Sequence, residues 1–306
     1  MGDRKMKILF CSDGSSKAET AIQFGARIAA ACQAEASILG IAEKPGEEDE
    51  LLIALRRARN ILKEYHVNAE LITKTGTPLT EIVKRTAETH YDLVVIGSIC
   101  KRQSLGFLAP WWGFLKTYKI IESIEPPVLV TFCGRSALRR ILLCTGGTGF
   151  NEKNIEFTAK IARCVNAVVN LFHVTPEPPA MYDDVIQLEN DPDRLLVSSS
   201  KLGRTLRRQR DLLKQFGVLG EVRLRHGEVL PELLKELHQS DYDLVVSGSA
   251  HEERLRRYAM GDATREIVDR ADVPVLVVRT GKKQTTSLFE KLISVWVRAR
   301  EKLQRH

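Results

Sequence analysis

The sequence predicts an α/β protein of two tandem domains, each a doubly wound sheet of five parallel strands, followed by an amphipathic C-terminal helix. One observation is an octapeptide that occurs twice, as YDLVVIGS at 91–98 and as YDLVVSGS at 242–249. A second is that short apolar runs alternate with helical periodicity in the same order in both halves, which is typical of parallel sheets covered on both faces. The length of 306 residues allows each half its own hydrophobic core.

Five apolar runs in each copy are predicted strands, because they are short and are bounded by glycine, proline or polar residues. The first run of each copy ends in a polar turn that contains glycine. In chain order the runs of the first copy are KILFCS, ASILGIA, AELITKT, YDLVVIG and PPVLVTF, and those of the second are RRILLC, AVVNLFHV, EVRLRHG, YDLVVSG and VPVLVVR.

Amphipathic helices are predicted between these strands. Ser16 and Glu19 have the spacing of a capping box at the start of the first helix, and Asn151 can cap its counterpart in the second copy. Proline is favoured in the first helical turn, where its missing N–H costs nothing. The second helices are the periodic segments 50–65 and 195–216, and the third helices open at Pro78 and Pro231.

The duplication sets the predicted domain boundaries at 1–134 and 135–280, with a basic amphipathic helix over 281–306. The first strands of the two copies are offset by 133 residues and the fourth strands by 151, so the second copy is the longer one. The excess lies in the proline-rich and acidic connection 175–194, which we expect to be a surface excursion.

Charge and cysteine content narrow the class of protein. The formal charge is +7, and residues 281–306 carry seven Lys or Arg against two Glu, so the body of the chain is close to neutral and no nucleic-acid groove is predicted. Cys11 and Cys144 occupy matching strand positions, and Cys32 and Cys164 are interpreted as matching positions late in a helix. Without a CxxC pair we predict no metal site, and we expect buried thiols in a reducing, cytoplasmic compartment.

The ordered set of motifs resembles the tandem universal stress proteins. The resemblance covers nearly all of residues 5–280. It rests on a strand ending in Ser-Asp-Gly-Ser, the YDLVV-x-Gly-Ser strand, a glycine-spaced loop and a helix leading into Pro-Val-Leu-Val. It implies sheets ordered 3-2-1-4-5 whose fifth strands meet in a pseudo-dimer. In members that bind ATP, it implies an adenine-nucleotide pocket between the loops after strands 1 and 4.

The second copy keeps half of the phosphate loop that the resemblance implies, which has the form Gly-x-x-Gly, nine residues, then Gly followed by Ser or Thr. His251 replaces the second glycine, and Asp262 replaces the final hydroxyl, where a carboxylate would repel phosphate. We expect Asp262 to be a helix N-cap instead. Arg254 either holds an anion by its charge or belongs to a solvated face. The candidate residues of this copy are Gly248, Ser249, His251, Arg254, Gly261 and Asp262.

The first copy keeps the acid that the resemblance places near the nucleoside, Asp13, where the second copy has Gly146. A turn or capping role for Asp13, alongside Ser15 and Ser16, stays equally open. The phosphate loop of this copy is replaced by the apolar segment 104–115. The candidate residues of this copy are Asp13, Gly14, Ser15, Ile41, Gly97 and Ser98.

Two apolar features are candidate interaction surfaces. Trp111 and Trp112 lie in the segment that replaces the phosphate loop, and Trp296 lies on the apolar stripe of the C-terminal helix. That helix either packs on the body of the protein, which we favour, or lies in an anionic membrane interface.

The resulting hypothesis is a non-catalytic stress-response or regulatory binder with degenerate adenine-nucleotide sites, one of which holds ATP, with Mg²⁺, or another adenine nucleotide. We expect an intramolecular pseudo-dimer that is able to form homo-oligomers. Two alternatives stay open. One is a nucleotide-independent interaction protein or peripheral membrane adaptor that uses the tryptophans and the basic tail. The other is a slow ATPase, although only His173 and His226 among the histidines are expected near a ligand edge, and no catalytic constellation accompanies them.

Overall fold

A ten-stranded sheet covered by helices on both faces forms the body of the protein. The computed structural model describes residues 4–43, 46, 48–97, 110–131, 137–146, 152–176, 192–249 and 260–279. The strands are ordered β3-β2-β1-β4-β5-β10-β9-β6-β7-β8. Each half of the sheet therefore has the order 3-2-1-4-5, and the predicted α/β architecture is confirmed.

We call the first half lobe one and the second half lobe two. The elements of lobe one are β1 (Lys7–Ser12), α1 (Ser16–Ala31), β2 (Glu35–Ala42), α2 (Glu48–Glu64), β3 (Ala69–Thr75), α3 (Pro78–Glu88), β4 (Leu93–Gly97), α4 (Pro110–Ser123) and β5 (Val128–Thr131). Those of lobe two are β6 (Arg140–Cys144), α5 (Glu152–Val165), β7 (Val168–Thr175), α6 (Pro192–Val197), α7 (Lys201–Gln215), β8 (Val222–His226), α8 (Val229–Gln239), β9 (Leu244–Ser249), α9 (Met260–Arg270) and β10 (Val275–Arg279).

The two lobes are joined by their fifth strands. All strand pairs within a lobe are parallel, whereas β5 and β10 pair antiparallel, with Val128 opposite Val277 and Val130 opposite Val275. The predicted meeting of the fifth strands is therefore confirmed. The predicted boundary between 134 and 135, the connection 177–191 and the helix 281–306 lie outside the described residues.

The apolar cores on the two faces of the sheet run through both lobes. One core contains Ile22 from α1 and Ile155 from α5, both at most 2% exposed. The other contains Ile121 from α4 and Ile267 from α9. Strand residues alternate between the two, so that Ile8 and Phe10 face the first core and Leu9 faces the second, as the two-residue period of a strand requires.

The repeated octapeptide attaches the fourth strand of each lobe to the first. In lobe one, the carboxylate of Asp92 accepts the backbone N–H of Lys7 at 2.8 Å. In lobe two, the carboxylate of Asp243 accepts the N–H groups of Arg139 and Arg140 at 2.7 and 3.1 Å. The preceding tyrosine is buried in both lobes. The aspartate thus satisfies backbone donors where the first strand begins, and the tyrosine packs in the second apolar core, which accounts for both residues in each copy.

The one difference within the octapeptide also has a structural role. Ile96 packs in the second apolar core, whereas Ser247 places its hydroxyl 3.0 Å from the hydroxyl of Thr264 on α9. Both hydroxyl-bearing residues are buried. Lobe two therefore links its fourth strand to its last helix by a buried hydrogen bond instead of an apolar contact.

Side chains of lobe two also reach helix α4 of lobe one. The Arg279 guanidinium donates to the carbonyl oxygens of Glu122 at 2.6 Å and Ile124 at 2.7 Å, which lie at the end of α4. Cations at a helix C-terminus interact favourably with its dipole. The Arg265 guanidinium lies 5.4 Å from the ring centroid of Tyr118, within cation–π range.

Two helix predictions need correction. The N-cap of α1 is Ser15, not Ser16, because the Ser15 hydroxyl accepts the Ala18 N–H at 3.2 Å. The predicted helix 195–216 is two helices, α6 and α7, because serine side chains compete for backbone donors and Ser200 caps α7.

The matching of Cys32 with Cys164 is one residue out of register. Gln33 and Asn166 follow the first helices of the two lobes, and both have positive φ angles, of 50° and 54°. Since these two residues correspond, Cys32 corresponds to Val165 of lobe two.

The octapeptide aspartate gives a pH-dependent test. Burial would raise the pKa of Asp92, but the Lys7 N–H, the His90 side chain and Arg4 outweigh it and lower the pKa below the usual range. A depressed folded-state pKa stabilises the protein above about pH 4 and ceases to do so as the pH falls through the folded value.

We expect Asp92→Asn to lower the free energy of unfolding at pH 7 by about 1 kcal/mol and to have a smaller effect at pH 3. Urea denaturation at both pH values measures this, with the exposed Asp241→Asn as the control. An effect of Asp92→Asn that is equal at the two pH values would contradict the assignment.

Candidate functional site

The carboxyl ends of the parallel strands form one edge in each lobe, and ligands of open parallel sheets bind outside this edge where the strand order reverses. In this sheet the reversal lies between β1 and β4 and between β6 and β9. Because β5 and β10 are antiparallel, the carboxyl edges of the two lobes lie at opposite ends of the strands. The two candidate sites therefore face away from each other.

The turn after β1 satisfies its own polar groups. The Asp13 carboxylate accepts the Ser15 N–H at 3.0 Å, and the Ser12 hydroxyl accepts the Gly14 N–H at 3.2 Å. Gly14 has a φ of +80°, which glycine adopts without steric cost. The interpretation of Asp13 as a turn residue is supported by this contact, although its side chain stays exposed.

Gly97 brings the end of β4 against the first turn of α1. A Cβ atom at this position would lie 2.9 Å from the Lys17 carbonyl oxygen and 3.0 Å from the Ala18 Cα. Both are backbone atoms, so the chain itself would have to move. Ile41, at the end of β2, is partly buried against the second apolar core. Ser98 lies outside the described residues.

In lobe two, threonine and histidine side chains line the carboxyl ends of β6, β7 and β8. The Thr145 carbonyl oxygen lies 2.9 Å from His173 Nδ1, and the Thr175 hydroxyl lies 2.7 Å from His226 Nδ1. Thr175 Oγ1 also lies 3.4 Å from the Arg225 carbonyl oxygen. Three neighbouring strands thus place four polar side chains along one edge.

Two buried atoms of this edge have no hydrogen-bond partner within the described part of the chain. They are Thr145 Oγ1 and His226 Nε2. When the Thr175 hydroxyl donates to the Arg225 carbonyl, it accepts from His226 Nδ1–H, and His226 Nε2 is then an acceptor without a donor. A buried polar atom left unpaired costs about 1–3 kcal/mol, so this edge is better satisfied with a ligand that supplies partners.

Sequence reasoning placed His173 and His226 near this edge but did not identify Thr145 or Thr175. Thr145 corresponds to Ser12 of lobe one, and comparing the residues that follow each first strand would have revealed it. Thr175 has no such signal, because its pairing with His226 joins residues on neighbouring strands that are far apart in sequence.

The phosphate-loop residues of lobe two are distributed between β9 and α9. Gly248 and Ser249 end β9, and the Gly248 carbonyl oxygen lies 3.4 Å from the Thr264 hydroxyl. Helix α9 already includes Met260, so Gly261 and Asp262 lie inside its first turn. Asp262 is therefore not the N-cap, contrary to the prediction. An acidic residue in a first turn remains favourable to the helix dipole.

Several predicted site residues lie where no side-chain contact is described. His251, Arg254 and Trp296 are outside the described residues, and Trp111 and Trp112 belong to helix α4.

Over the part of the chain that is described, no three His, Cys, Asp or Glu side chains group as metal ligands. In the same part, no helix is long and apolar enough to cross a membrane.

Cys11 and Cys144, which lie beneath the two edges, are unreactive thiols at neutral pH. Burial raises the pKa of Cys11 and of Cys144 to about 12. The thiolate is the reactive form of cysteine, and at neutral pH these residues have almost none of it. Neither is a candidate nucleophile.

Two surface cavities lie away from both edges. One of about 580 Å³ lies on the outer face of α7 and contains the exposed ion pair between Arg208 and Glu152. The other, of about 450 Å³, lies at the amino ends of the lobe-one strands, beside Lys7 and Arg85. Charged side chains in both cavities already form ion pairs with one another, so the carboxyl edges are the better candidate sites.

Comparison with known proteins identifies one family. The model of the universal stress protein family matches residues 6–109 and 137–279. Universal stress protein Slr1230 of Synechocystis is 21% identical over 306 residues, covering 89% of this chain and 99% of the relative. Stress response protein NhaX of Bacillus subtilis is 20% identical over 161 residues, covering 46% of this chain and 97% of that protein.

Solved structures agree on the fold. A universal stress protein from Archaeoglobus fulgidus covers 91% of this chain and is itself covered completely, with a TM-score of 0.66 at 14% identity. A universal stress protein solved with cAMP covers 42% of this chain at a TM-score of 0.36, a likeness that says nothing about ligands of this chain.

The close approach of β4 to α1 predicts a large effect of a single methyl group. We expect Gly97→Ala to lower the free energy of unfolding by about 2 kcal/mol, because the new Cβ meets backbone atoms. Gly40→Ala is the comparison variant, since the atoms nearest to its Cβ, at 2.7–3.0 Å, belong to the Leu55 side chain and not to the backbone, and we expect a smaller loss because a side chain can repack. Chemical denaturation measures both, and equal losses would contradict the proposed role of Gly97.

Proposed function

Because the chain belongs to the universal stress protein family, we propose that it is a non-catalytic stress-response binder that holds one adenine nucleotide at the carboxyl edge of lobe two. The observation that carries this proposal is that two buried atoms, Thr145 Oγ1 and His226 Nε2, have no hydrogen-bond partner among the described residues. Both atoms lie at the carboxyl edge of lobe two, with Thr145 beside the point where the strand order reverses and His226 two strands away on β8.

The contrast between the lobes supports the choice of lobe two. In lobe one the turn after β1 satisfies its own donors through Ser12, Asp13 and Ser15. In lobe two the matching residue Thr145 has a buried hydroxyl with no hydrogen-bond partner in the part of the chain that the structure describes. A ligand that pairs with this hydroxyl removes a desolvation cost, whereas a ligand in lobe one must compete with hydrogen bonds that already exist.

The unpaired atoms suit a nucleobase. An adenine ring presents an exocyclic amine as a donor and ring nitrogens as acceptors. His226 Nε2, as an acceptor, can receive the amine, and the Thr145 hydroxyl can donate to a ring nitrogen. The base then lies over the ends of β6 to β8, with the phosphates directed towards Gly248 and the start of α9.

The phosphate end of this site differs from the family pattern. Asp262 lies in the first turn of α9, and its carboxylate disfavours a nearby phosphate. Arg254 supplies the compensating positive charge in this proposal. Mg²⁺, where it accompanies ATP, is held chiefly by the phosphate oxygens. We therefore expect adenosine and ATP to bind with similar affinity, because the base makes most of the contacts.

A catalytic role is not part of the proposal. Hydrolysis needs a base positioned against a nucleophile, and within the described residues no side chain lies within hydrogen-bond distance of His226 Nε2, the ring nitrogen that is left to act as a base. The adaptor role through Trp111, Trp112 and Trp296, the cytoplasmic location and the domain boundaries remain predictions from the sequence.

Calorimetric titration of the intact protein with Mg-ATP and with adenosine tests the proposal. We expect one bound nucleotide per chain. Thr145→Val, which removes the hydroxyl and keeps the shape, should weaken binding about tenfold, and His226→Phe should do the same.

Asp13→Asn is the matched control at the other edge and should leave the affinity unchanged. Loss of binding in Asp13→Asn with wild-type affinity in Thr145→Val would move the site to lobe one. The absence of any heat from a folded protein would refute nucleotide binding altogether.

A further inference from the structure

The tyrosine of the octapeptide has different hydrogen-bond partners in the two lobes. In lobe two, the Tyr242 hydroxyl donates to Glu236 Oε1 at 3.2 Å and accepts from Asn170 Nδ2 at 3.1 Å. The Arg225 guanidinium donates to the other oxygen of Glu236, from Nε at 3.1 Å and from Nη2 at 2.7 Å. The tyrosine hydroxyl is therefore paired both as donor and as acceptor, and the carboxylate beside it is also bound by an arginine.

Lobe one has an arginine where lobe two has this carboxylate. Residues of α3 and β4 correspond to those of α8 and β9 at an offset of 151, so Tyr91 matches Tyr242 and Arg85 matches Glu236. The buried Tyr91 hydroxyl accepts from Arg85 Nε at 2.9 Å. Within the described part of the chain, nothing accepts the proton of this hydroxyl. Lobe one thus keeps the donor but has no carboxylate bound to it.

A smaller side chain leaves room beside this tyrosine. Ser37 pairs with Leu9 of β1 as Asn170 pairs with Leu142 of β6, so serine in lobe one replaces asparagine in lobe two. Asn170 fills its position and accepts the Glu221 N–H at 3.2 Å through Oδ1. Ser37 makes no side-chain hydrogen bond within the described ranges. The cavity of about 450 Å³ at the amino ends of the lobe-one strands lies here and is lined by Ser37.

Donors and acceptors both line this cavity. The Tyr91 hydroxyl and the Arg85 guanidinium supply donors, and the carboxylates of Glu35 and Glu70 supply acceptors. Lys7 is the second cation of the lining, so two positive charges balance two negative charges. Charge complementarity therefore favours a ligand that carries one charge of each sign over a simple anion or a simple cation.

The ion pairs within the cavity are open to exchange with such a ligand. Arg85 Nη2 lies 3.8 Å from Glu70 Oε2, a long distance for an ion pair, and the Glu70 side chain is 66% exposed. Lys7 and Glu35 form a pair at 3.3 Å between two exposed side chains. Exposed ion pairs contribute little to stability, because water solvates both partners when they separate. A zwitterion can replace these contacts and also use the buried Tyr91 hydroxyl.

We propose that this cavity is a binding site for a small zwitterion of the class of the free α-amino acids. The carboxylate of the ligand accepts from the Tyr91 hydroxyl and from the Nη groups of Arg85, as the Glu236 carboxylate accepts from a tyrosine and an arginine in lobe two. Such charge-assisted hydrogen bonds are stronger than neutral ones. The ammonium group of the ligand pairs with Glu70 or Glu35.

The position of the cavity makes this site independent of the nucleotide edge. The cavity lies at the amino ends of the lobe-one strands, whereas the proposed nucleotide lies at the carboxyl edge of lobe two. The ligand contacts β2, the end of α3 and the residue before β4 through Ser37, Arg85 and Tyr91. Because it binds only the folded protein, it should raise the unfolding temperature.

Titration of the intact protein with each of the protein amino acids tests the proposal, with thermal unfolding as the screen and calorimetry as the measure of affinity. We expect at least one free amino acid to bind. Its amide, which lacks the carboxylate, and its N-acetyl derivative, which lacks the ammonium group, should each bind about tenfold more weakly or worse. The absence of binding by every amino acid, or equal affinity for the amide or the N-acetyl derivative, would overturn the proposal.

Three variants locate the site. Ser37→Asn introduces the lobe-two residue beside Tyr91 and should abolish binding while circular dichroism shows a folded protein. Tyr91→Phe should weaken binding about tenfold, because it removes one hydrogen bond to a charged group. Tyr242→Phe is the matched control and should leave the affinity unchanged, since the Tyr242 hydroxyl already donates to Glu236. Wild-type affinity in both Ser37→Asn and Tyr91→Phe would contradict the assignment.

Titrations of both ligands on the same variants separate this site from the nucleotide site. Ser37→Asn should bind Mg-ATP as the wild-type protein does, and Thr145→Val should keep its affinity for the amino acid. Loss of amino-acid binding in Thr145→Val would place the amino acid at the lobe-two edge and overturn the proposal. Amino-acid binding that persists in a protein that gives no heat with Mg-ATP would support this site and refute only the nucleotide site.

Discussion

The antiparallel pairing of β5 with β10 is the interaction on which the rest of the structure depends. Within the described part of the chain, three residue pairs make this strand pairing, Val128 with Val277, Leu129 with Leu276 and Val130 with Val275. All six residues are at most 1% exposed. The pairing turns two five-stranded sheets into one, carries both apolar cores across the junction, and brings Arg279 of lobe two to the end of α4 in lobe one.

The same pairing separates the two carboxyl edges, and this explains how the copies could diverge. Residues that hold the sheet together have kept their roles, as Asp92 and Asp243 show by accepting backbone donors at the start of the first strand in each lobe. The edge residues have not. In lobe one Asp13 accepts a backbone N–H of its turn, whereas in lobe two Thr145 and His226 each have a buried atom without a partner within the described ranges. Separate edges are free to change without disturbing the shared sheet.

The sequence was sufficient for the architecture because strand and helix periodicity are local signals, repeated in the same order in both copies. The sequence was insufficient where a shift of one residue decides which residue caps a helix. The cap of α1 proved to be Ser15, and Asp262 proved to lie within α9, because a cap depends on the backbone angles of a single residue. The hydrogen bond between Thr175 and His226 joins neighbouring strands, and no spacing in the sequence encodes it.

Cooperativity between the lobes is the most direct test of the central claim that the junction makes one structural body. Hydrogen exchange of the intact, reduced protein at increasing denaturant concentration measures the protection of β1 and β4 in lobe one and of β6 and β9 in lobe two. Because the lobes share both cores, we expect these strands to lose protection at the same denaturant concentration. Loss of protection in one lobe while the strands of the other stay protected would contradict the account.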